Sequence, residues 1–271
     1  MNERLAALLD EARAASGPVV FLTGAGISAE SGIPTFRGEE GYWTVGSTHY
    51  RPMELATQAA FRRMPEDVWS WYLYRRSVCR AAEPNFAHTA LVRLEEALKA
   101  RFLLVTQNVD GLHLRAGNSL ERTYEIHGNI DYLRCGGAPR PIPHEVNEAW
   151  SKETRFDDAT RALLSCCEGG TLSRPHVLWF DEYYDEALFR FESSLEAAMR
   201  ASLLVVVGTS GSTNLPMQMG AIVARRGAPM VVVNRDPSPF SAFAEQNSQG
   251  VFLQGTAGEH VPAIVDTLLL G

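Results

Sequence analysis

Five short segments hold the residue types that do chemistry. Thr23-Gly24-Ala25-Gly26-Ile27-Ser28-Ala29 follows an apolar run and sets Gly24, Gly26 and Ala29 in a G-x-G-x-x-G/A spacing. The first glycine permits a tight turn, the second lets backbone approach a pyrophosphate, and the small third residue lets a helix pack on its strand. This spacing points to a dinucleotide, although glycine at a strand end is often only a turn. Thr106-Gln107-Asn108-Val109-Asp110-Gly111 puts two amides and a carboxylate after a second apolar run. Glu125-Ile126-His127-Gly128 sets an imidazole at the tip of a third. An imidazole titrating near pH 6.5 suits a general base at neutral pH. Gly208-Thr209-Ser210 and Asn234-Arg235-Asp236 end two more runs. Hydroxyls there can bind phosphate, and Asn or Asp can bind ribose hydroxyls.

The elements that must position these groups are legible from periodicity. Val19–Leu22, Phe102–Val105, Leu203–Val207, Met230–Val233 and Val251–Leu253 are short continuous apolar runs, the pattern of strands buried on both faces. Helical patterns cover 2–15, 86–100, 184–200, 214–226 and 258–270. Strands alternating with helices imply an α/β fold with a Rossmann-like parallel sheet and ligands at the carboxyl ends of its strands. Two stretches break the rhythm. Residues 37–83 contain a glycine-rich start and a helix over 66–81; residues 132–178 hold Gly136-Gly137, Pro139, Pro141, Pro143 and Cys166-Cys167. The expected division is a nucleotide-binding domain of 1–36, 84–131 and 179–271, with 37–83 and 132–178 inserted as a smaller second domain. Gly32-Ile33-Pro34 stops the first helix after about one turn, which argues against an ordinary dehydrogenase.

The chain has 271 residues, 45% hydrophobic and 21% charged, with a net charge of −7. That balance suits a globular protein and excludes a broad basic face for nucleic acid. No apolar run approaches the ~20 residues that span a bilayer, and Met1-Asn2-Glu3-Arg4-Leu5 opens an amphipathic helix rather than a signal core, so a cytoplasmic protein without membrane partners is expected. Cys79, Cys135, Cys166 and Cys167 are too few and too clustered for a secreted disulfide scaffold, and reduced thiols are expected.

Taken together, the chain resembles the sirtuins, the NAD-dependent protein lysine deacylases. Six motifs carry the likeness in the family's order: Gly24-Ala25-Gly26-Ile27-Ser28, Gly32-Ile33-Pro34-Thr35-Phe36-Arg37, Thr106-Gln107-Asn108-Val109-Asp110, His127-Gly128, Gly208-Thr209-Ser210 and Asn234. The resemblance implies NAD across the strand tips, its pyrophosphate against Gly24, Ala25 and Gly26. It implies nicotinamide oriented by Asn108 and Asp110, ribose-side contacts from Gln107 and Ser28, and a covering loop that includes Thr35, Phe36 and Arg37. Gly208, Thr209, Ser210, Asn234, Arg235 and Ala257 complete the implied cofactor set. The acyl-lysine carbonyl oxygen would attack the ribose carbon as nicotinamide leaves, and His127 would then act as base on a ribose hydroxyl that attacks the amidate carbon. Products would be nicotinamide, free lysine and acyl-ADP-ribose. Two other readings use the same residues: an NAD glycohydrolase or protein ADP-ribosyltransferase, and a non-catalytic NAD or ADP-ribose sensor.

The chain also departs from the family. Sirtuins usually hold zinc in two C-x-x-C pairs; here Cys135 has no C-x-x-C partner, and Cys166 and Cys167 are adjacent, so a zinc-free module is expected even with His144 nearby. The family's Phe-Gly-Glu reads Phe180-Asp181-Glu182. Val177, Trp179 and Phe180 are the implied substrate-side residues, on segments that in sirtuins clamp the acyl-lysine peptide as added strands. Tyr72 and Arg75, three apart on the 66–81 helix, share a face. Either they serve helix packing, or they read an acidic acyl group, as the Y-x-x-R of sirtuins that remove succinyl and malonyl groups does.

Overall fold

The computed structural model describes residues 3–34, 43–45, 48–166 and 169–270. Thr35, Phe36, Arg37 and Cys167, named above, lie outside the described residues.

Six strands form one all-parallel sheet in the spatial order Gly250–Gln254, Met230–Asn234, Leu203–Val207, Val19–Thr23, Phe102–Thr106, Thr123–Glu125. The fold is therefore α/β, with the Rossmann-like sheet that the apolar runs require. Alternate side chains explain why those runs are continuous. Val19, Phe21, Phe102, Leu104, Leu203 and Val205 pack under the helices Glu3–Ala14, Phe86–Leu98 and Ala257–Leu269. Val20, Leu22, Leu103, Val105, Leu204 and Val206 face the opposite layer, built from Phe191–Arg200, Asn214–Arg225 and Pro239–Gln246. Both faces of the central strands are covered, so their positions stay apolar up to the tips.

The first strand lies between neighbours reached in opposite directions along the sheet. The chain runs from Val19–Thr23 to Phe102–Thr106 on one side and later returns to Leu203–Val207 on the other. Such a switch point opens a crevice at the carboxyl ends. The glycine segment sits there as two short 3₁₀ turns, Ala25–Ile27 and Ala29–Ser31, and Gly32 then turns left-handed at φ 82°. The stop expected from Gly32-Ile33-Pro34 is thus present.

A third apolar cluster stands apart from the sheet. Leu55, Val68, Trp69, Tyr72 and Leu73 pack with Ile130, Leu133, Trp150, Leu164 and Trp179. It joins the long helix Pro65–Ala81 to an antiparallel sheet of Arg140–Pro141, Gly128–Arg134 and Arg174–Val177.

Two expectations need correction. The pattern over 184–200 is not one helix: Glu186–Phe189 and Phe191–Arg200 are separated at Arg190, whose φ is 54°. Glu186 turns back to accept from the backbone N–H of Ser193 at 3.0 Å and from its hydroxyl, which favours the break. The cysteines are not all reduced either: Cys135 and Cys166 form a disulfide with Cα atoms 5.9 Å apart, while Cys79 is a buried free thiol. Cys135 follows a strand and Cys166 follows the helix Asp158–Leu164, and strand pairing nearby brings the two together, which sequence spacing does not reveal. Among the described residues, no helix is long and apolar enough to cross a membrane.

Candidate active site

The glycines are required first by each other. A Cβ on Gly24 would lie 2.8 Å from the Gly208 carbonyl oxygen, and one on Gly26 would lie 2.6 Å from Gly208 Cα. Gly208 itself sits at φ 63°. The N–H of Gly24 donates to Val207 and that of Gly26 to Gly208. The glycine motif thus locks two strand tips together and brings their backbone to the floor of the crevice.

Asn108 and Asp110 meet over this floor. Asn108 Nδ2 donates to the Gly24 carbonyl at 3.1 Å and to Ser28 Oγ at 3.0 Å. Ser28 Oγ donates to Asp110 Oδ2 at 2.8 Å, and the Leu112 N–H donates to Asp110 Oδ1 at 2.9 Å. Ser28 is fully buried, so its role here is to brace the Asn–Asp pair from beneath. Burial pushes the Asp110 carboxyl up from its ordinary value, opposed by the donors from Leu112 and Ser28.

Gln107 ties the remaining tips together. Its Nε2 donates to Thr209 Oγ1 at 2.9 Å, and its Oε1 accepts from Thr213 Oγ1 at 2.9 Å. Its backbone carbonyl faces His127 Nδ1 at 2.9 Å. A carbonyl only accepts, so the imidazole proton resides on Nδ1 and Nε2 carries the lone pair. Burial lowers the His127 pKa to about 4, against the opposing pull of that carbonyl, and keeps the ring a neutral base. Nearby, burial raises Glu125 to about 7 despite a 2.7 Å bond from Asn129.

The other sequence candidates fall at varying distances from this centre. Asn234 Nδ2 donates to the Thr209 carbonyl at 3.2 Å. Ser210 pairs with Ser212 at 2.8 Å on an exposed turn. Arg235 is exposed, and its carbonyl accepts from Gln254. Ala257 is buried at the start of the last helix, where Glu30 accepts from the Gly258 N–H at 2.7 Å. Ala25 is half-buried at the loop crest.

On the substrate side, Tyr72 is buried, and its hydroxyl accepts from Trp179 Nε1 at 2.9 Å. Arg75 is half-buried, its guanidinium 4.9 Å from the Trp71 ring centroid. Trp179 lies beneath Arg174, 3.4 Å from guanidinium to ring centroid, so it is a packed anchor and not an open wall. Val177 is buried, whereas Phe180 is 53% exposed with its N–H on the Ala56 carbonyl. Asp181, where the family has glycine, accepts from the N–H groups of Gln58 at 2.8 Å and Ala59 at 3.2 Å and so caps the helix Gln58–Arg63.

Sequence reasoning missed one residue of the centre. Tyr184 places its hydroxyl 2.8 Å from His127 Nε2. The sequence reads it as the first residue of the helical pattern over 184–200, whereas it precedes Glu186–Phe189 beside an exposed Tyr183, so its spacing carries no sign of a role beside His127.

Comparison with known proteins decides what this arrangement belongs to. The chain matches the Sir2 family over residues 24–214. It is 41% identical over 248 residues to an NAD-dependent protein deacylase of Leptospira interrogans, covering 92% of each chain. It is 40% identical to one of Thermus thermophilus, covering 88% of this chain and 87% of that one. This protein belongs to the Sir2 family. Among solved structures, a Sir2 homologue in complex with NAD superimposes with a TM-score of 0.79 at 33% identity, over 99% of this chain and 94% of the other. A Sir2–p53 peptide–NAD complex gives 0.75 at 26% identity over the whole of both. The Sir2 motifs of the chain thus coincide with the tips that the sheet gathers around Gly24, Asn108 and His127.

The family usually carries zinc, and the residues here do not fit it. Cys135 and Cys166 are consumed in the disulfide, and no C-x-x-C pair is present.

Proposed function

We infer that the protein is an NAD-dependent protein lysine deacylase that releases nicotinamide and acyl-ADP-ribose. The observation that carries this is the pinned, neutral His127, its Nδ1–H held by the Gln107 carbonyl, on the same strand-tip platform as the braced Asn108–Asp110 pair. NAD supplies an electrophilic ribose carbon and a leaving nicotinamide. The donor set fits it: a buried amide and carboxylate to hold a carboxamide, and hydroxyls and amides along the Gly208–Asn234 tips to hold phosphate and ribose. His127 takes a proton from a ribose hydroxyl, and its own Nδ1–H stays on Gln107 throughout. A sensor has no use for a base pinned in this way, and a hydrolase would turn the same base on water, so the products separate that reading. Mass spectrometry of the products from NAD and acetyl-, succinyl- and malonyl-lysine peptides tests the reading. Acyl-ADP-ribose supports it, and plain ADP-ribose alone overturns it.

The acyl preference is a second proposal, that Tyr72 and Arg75 read an acidic acyl group. Trp179 fills an acceptor position of the Tyr72 hydroxyl, which leaves its proton to donate, and Tyr72 and Arg75 are three apart on Pro65–Ala81. A third is that residues 37–83 and 132–178 form the smaller domain, supported by the separate apolar cluster that joins Trp69, Leu133, Trp150 and Leu164. We also propose that the protein holds no zinc and works in the cytoplasm without nucleic-acid or membrane partners. Elemental analysis tests the first point. Fractionation combined with thiol trapping in cells tests the location together with the Cys135–Cys166 bond.

A further inference from the structure

A general base must offer a lone pair to its substrate, and the lone pair of His127 is already engaged. Nε2 lies 2.8 Å from the Tyr184 hydroxyl, which donates to it because Nδ1 holds the imidazole proton. The phenol is not a loose cover. Its ring centroid is 5.8 Å from that of His127, and it stacks on Phe191 at 6.2 Å. Its oxygen also contacts the side chain of Thr213, whose hydroxyl has two acceptors in reach, Tyr184 and Gln107 Oε1. Thr213 has one hydroxyl proton, and Gln107 Oε1 and the Tyr184 oxygen compete for it, so imidazole, phenol and Thr213 form a chain and not a closed ring. Swinging Tyr184 aside would break its hydrogen bond to His127 and a ring stack. Leaving it in place breaks none, since a phenol oxygen accepts while it donates.

The geometry points to Tyr184 as a catalytic proton relay between the substrate hydroxyl and His127, an inference that rests on the reading of His127 as the base. The ribose O–H bond breaks and its proton goes to the Tyr184 oxygen as that oxygen passes its own proton to His127 Nε2. The freed electron pair on the ribose oxygen forms the new bond to the amidate carbon, whose C=N π pair moves onto the lysine nitrogen. The imidazolium is held through Nδ1–H by Gln107, and the phenol ends as it began. Burial raises the Tyr184 hydroxyl to about 12, which disfavours a free phenolate on the way.

Tyr184→Phe tests the relay, because it removes the oxygen and keeps the ring. Two rates are measured with NAD and an acetyl-lysine peptide: exchange of labelled nicotinamide into NAD, which reverses the step before the base acts, and formation of acyl-ADP-ribose. The expected result is a fall of about 10- to 100-fold in product formation, within the range of acid–base contributions, with exchange retained. Tyr184→Leu should lose as much product formation as Tyr184→Phe, whereas a packing role predicts that Phe works and Leu does not. Unchanged or faster product formation in Tyr184→Phe overturns the relay and makes the phenol a displaceable cap. Joint loss of exchange and product formation overturns it too, since the residue then serves the NAD site as a whole. His127→Ala in the same assay separates the two levels. Normal product formation there sinks the base assignment and the relay with it; a dead His127→Ala beside an active Tyr184→Phe sinks the relay alone.

Discussion

His127 is a buried imidazole with both ring nitrogens assigned by their partners, and its chemistry follows from that. Replacing it by Ala should lower acyl-ADP-ribose formation by about 10²–10⁴-fold, measured as kcat/KM, while NAD binding by calorimetry is retained. Near-normal turnover would remove it from the mechanism. Its depressed pKa, about 4, sets the pH dependence. A base must be neutral, so the acid limb of kcat/KM should lie well below the 6.5 of a free imidazole, near pH 4–5. A limb at 6.5 or above would show that the ring is solvated in the working enzyme. Arg75 has a different signature. If it binds a carboxylate, Arg75→Met should cost about 10- to 150-fold in kcat/KM for succinyl-lysine, the equivalent of roughly 1.5–3 kcal/mol for a charge-assisted hydrogen bond. Acetyl-lysine turnover should change little. Parallel losses on both substrates would return Arg75 to a packing role over Trp71.

Single elements are tuned by residues that look out of place in the sequence. Asp181 stands where the family has glycine, and the structure supplies a reason: it closes the N-terminus of Gln58–Arg63 alongside the N-cap Thr57. Asp181→Ala should lower stability by about 1 kcal/mol in a denaturant titration, the usual worth of such a cap. No change would mean that Thr57 suffices. Arg190 breaks what reads as one helix, because Glu186 is satisfied locally by Ser193 instead of by solvent. The break lies between Tyr184 and Phe191, whose rings stack with centroids 6.2 Å apart.

For the whole molecule, protonation and the disulfide set how stability responds to pH and to reductant. His88, His127 and His176 are lowered to about 4 and His113 well below its ordinary value, each chiefly by burial. Below pH 6.5 the unfolded chain binds protons that the folded one refuses, so stability falls as pH drops from about 6.5 toward 4. Each such group contributes up to about 1.4 kcal/mol per pH unit in that window. Glu125, raised to about 7, and Asp110, also raised, act with the opposite sign, since the folded state holds their protons more tightly. The four histidines outnumber them, and the denaturation midpoint should drop between pH 7 and pH 5; a flat profile would mean that these rings are hydrated. The Cys135–Cys166 bond spans 31 residues of sequence, a loop whose closure is worth about 3–4 kcal/mol in the chain-entropy account. Reductant should lower the denaturation midpoint accordingly.

The sequence by itself determined the parallel sheet, because residues buried on both faces leave no choice but continuous apolar runs. It also determined the identities at the strand tips, since Gly24, Asn108, Asp110 and His127 carry their chemistry in side-chain type and local spacing. Only the tertiary structure decided which tips meet. Gly26 answers to Gly208, 182 residues away; Gln107 joins Thr209, Thr213 and His127; and Cys135 finds Cys166. Tyr184 was invisible for the same reason. Hydrogen bonds between distant loops depend on how layers stack and where a helix breaks, and local periodicity holds no record of either.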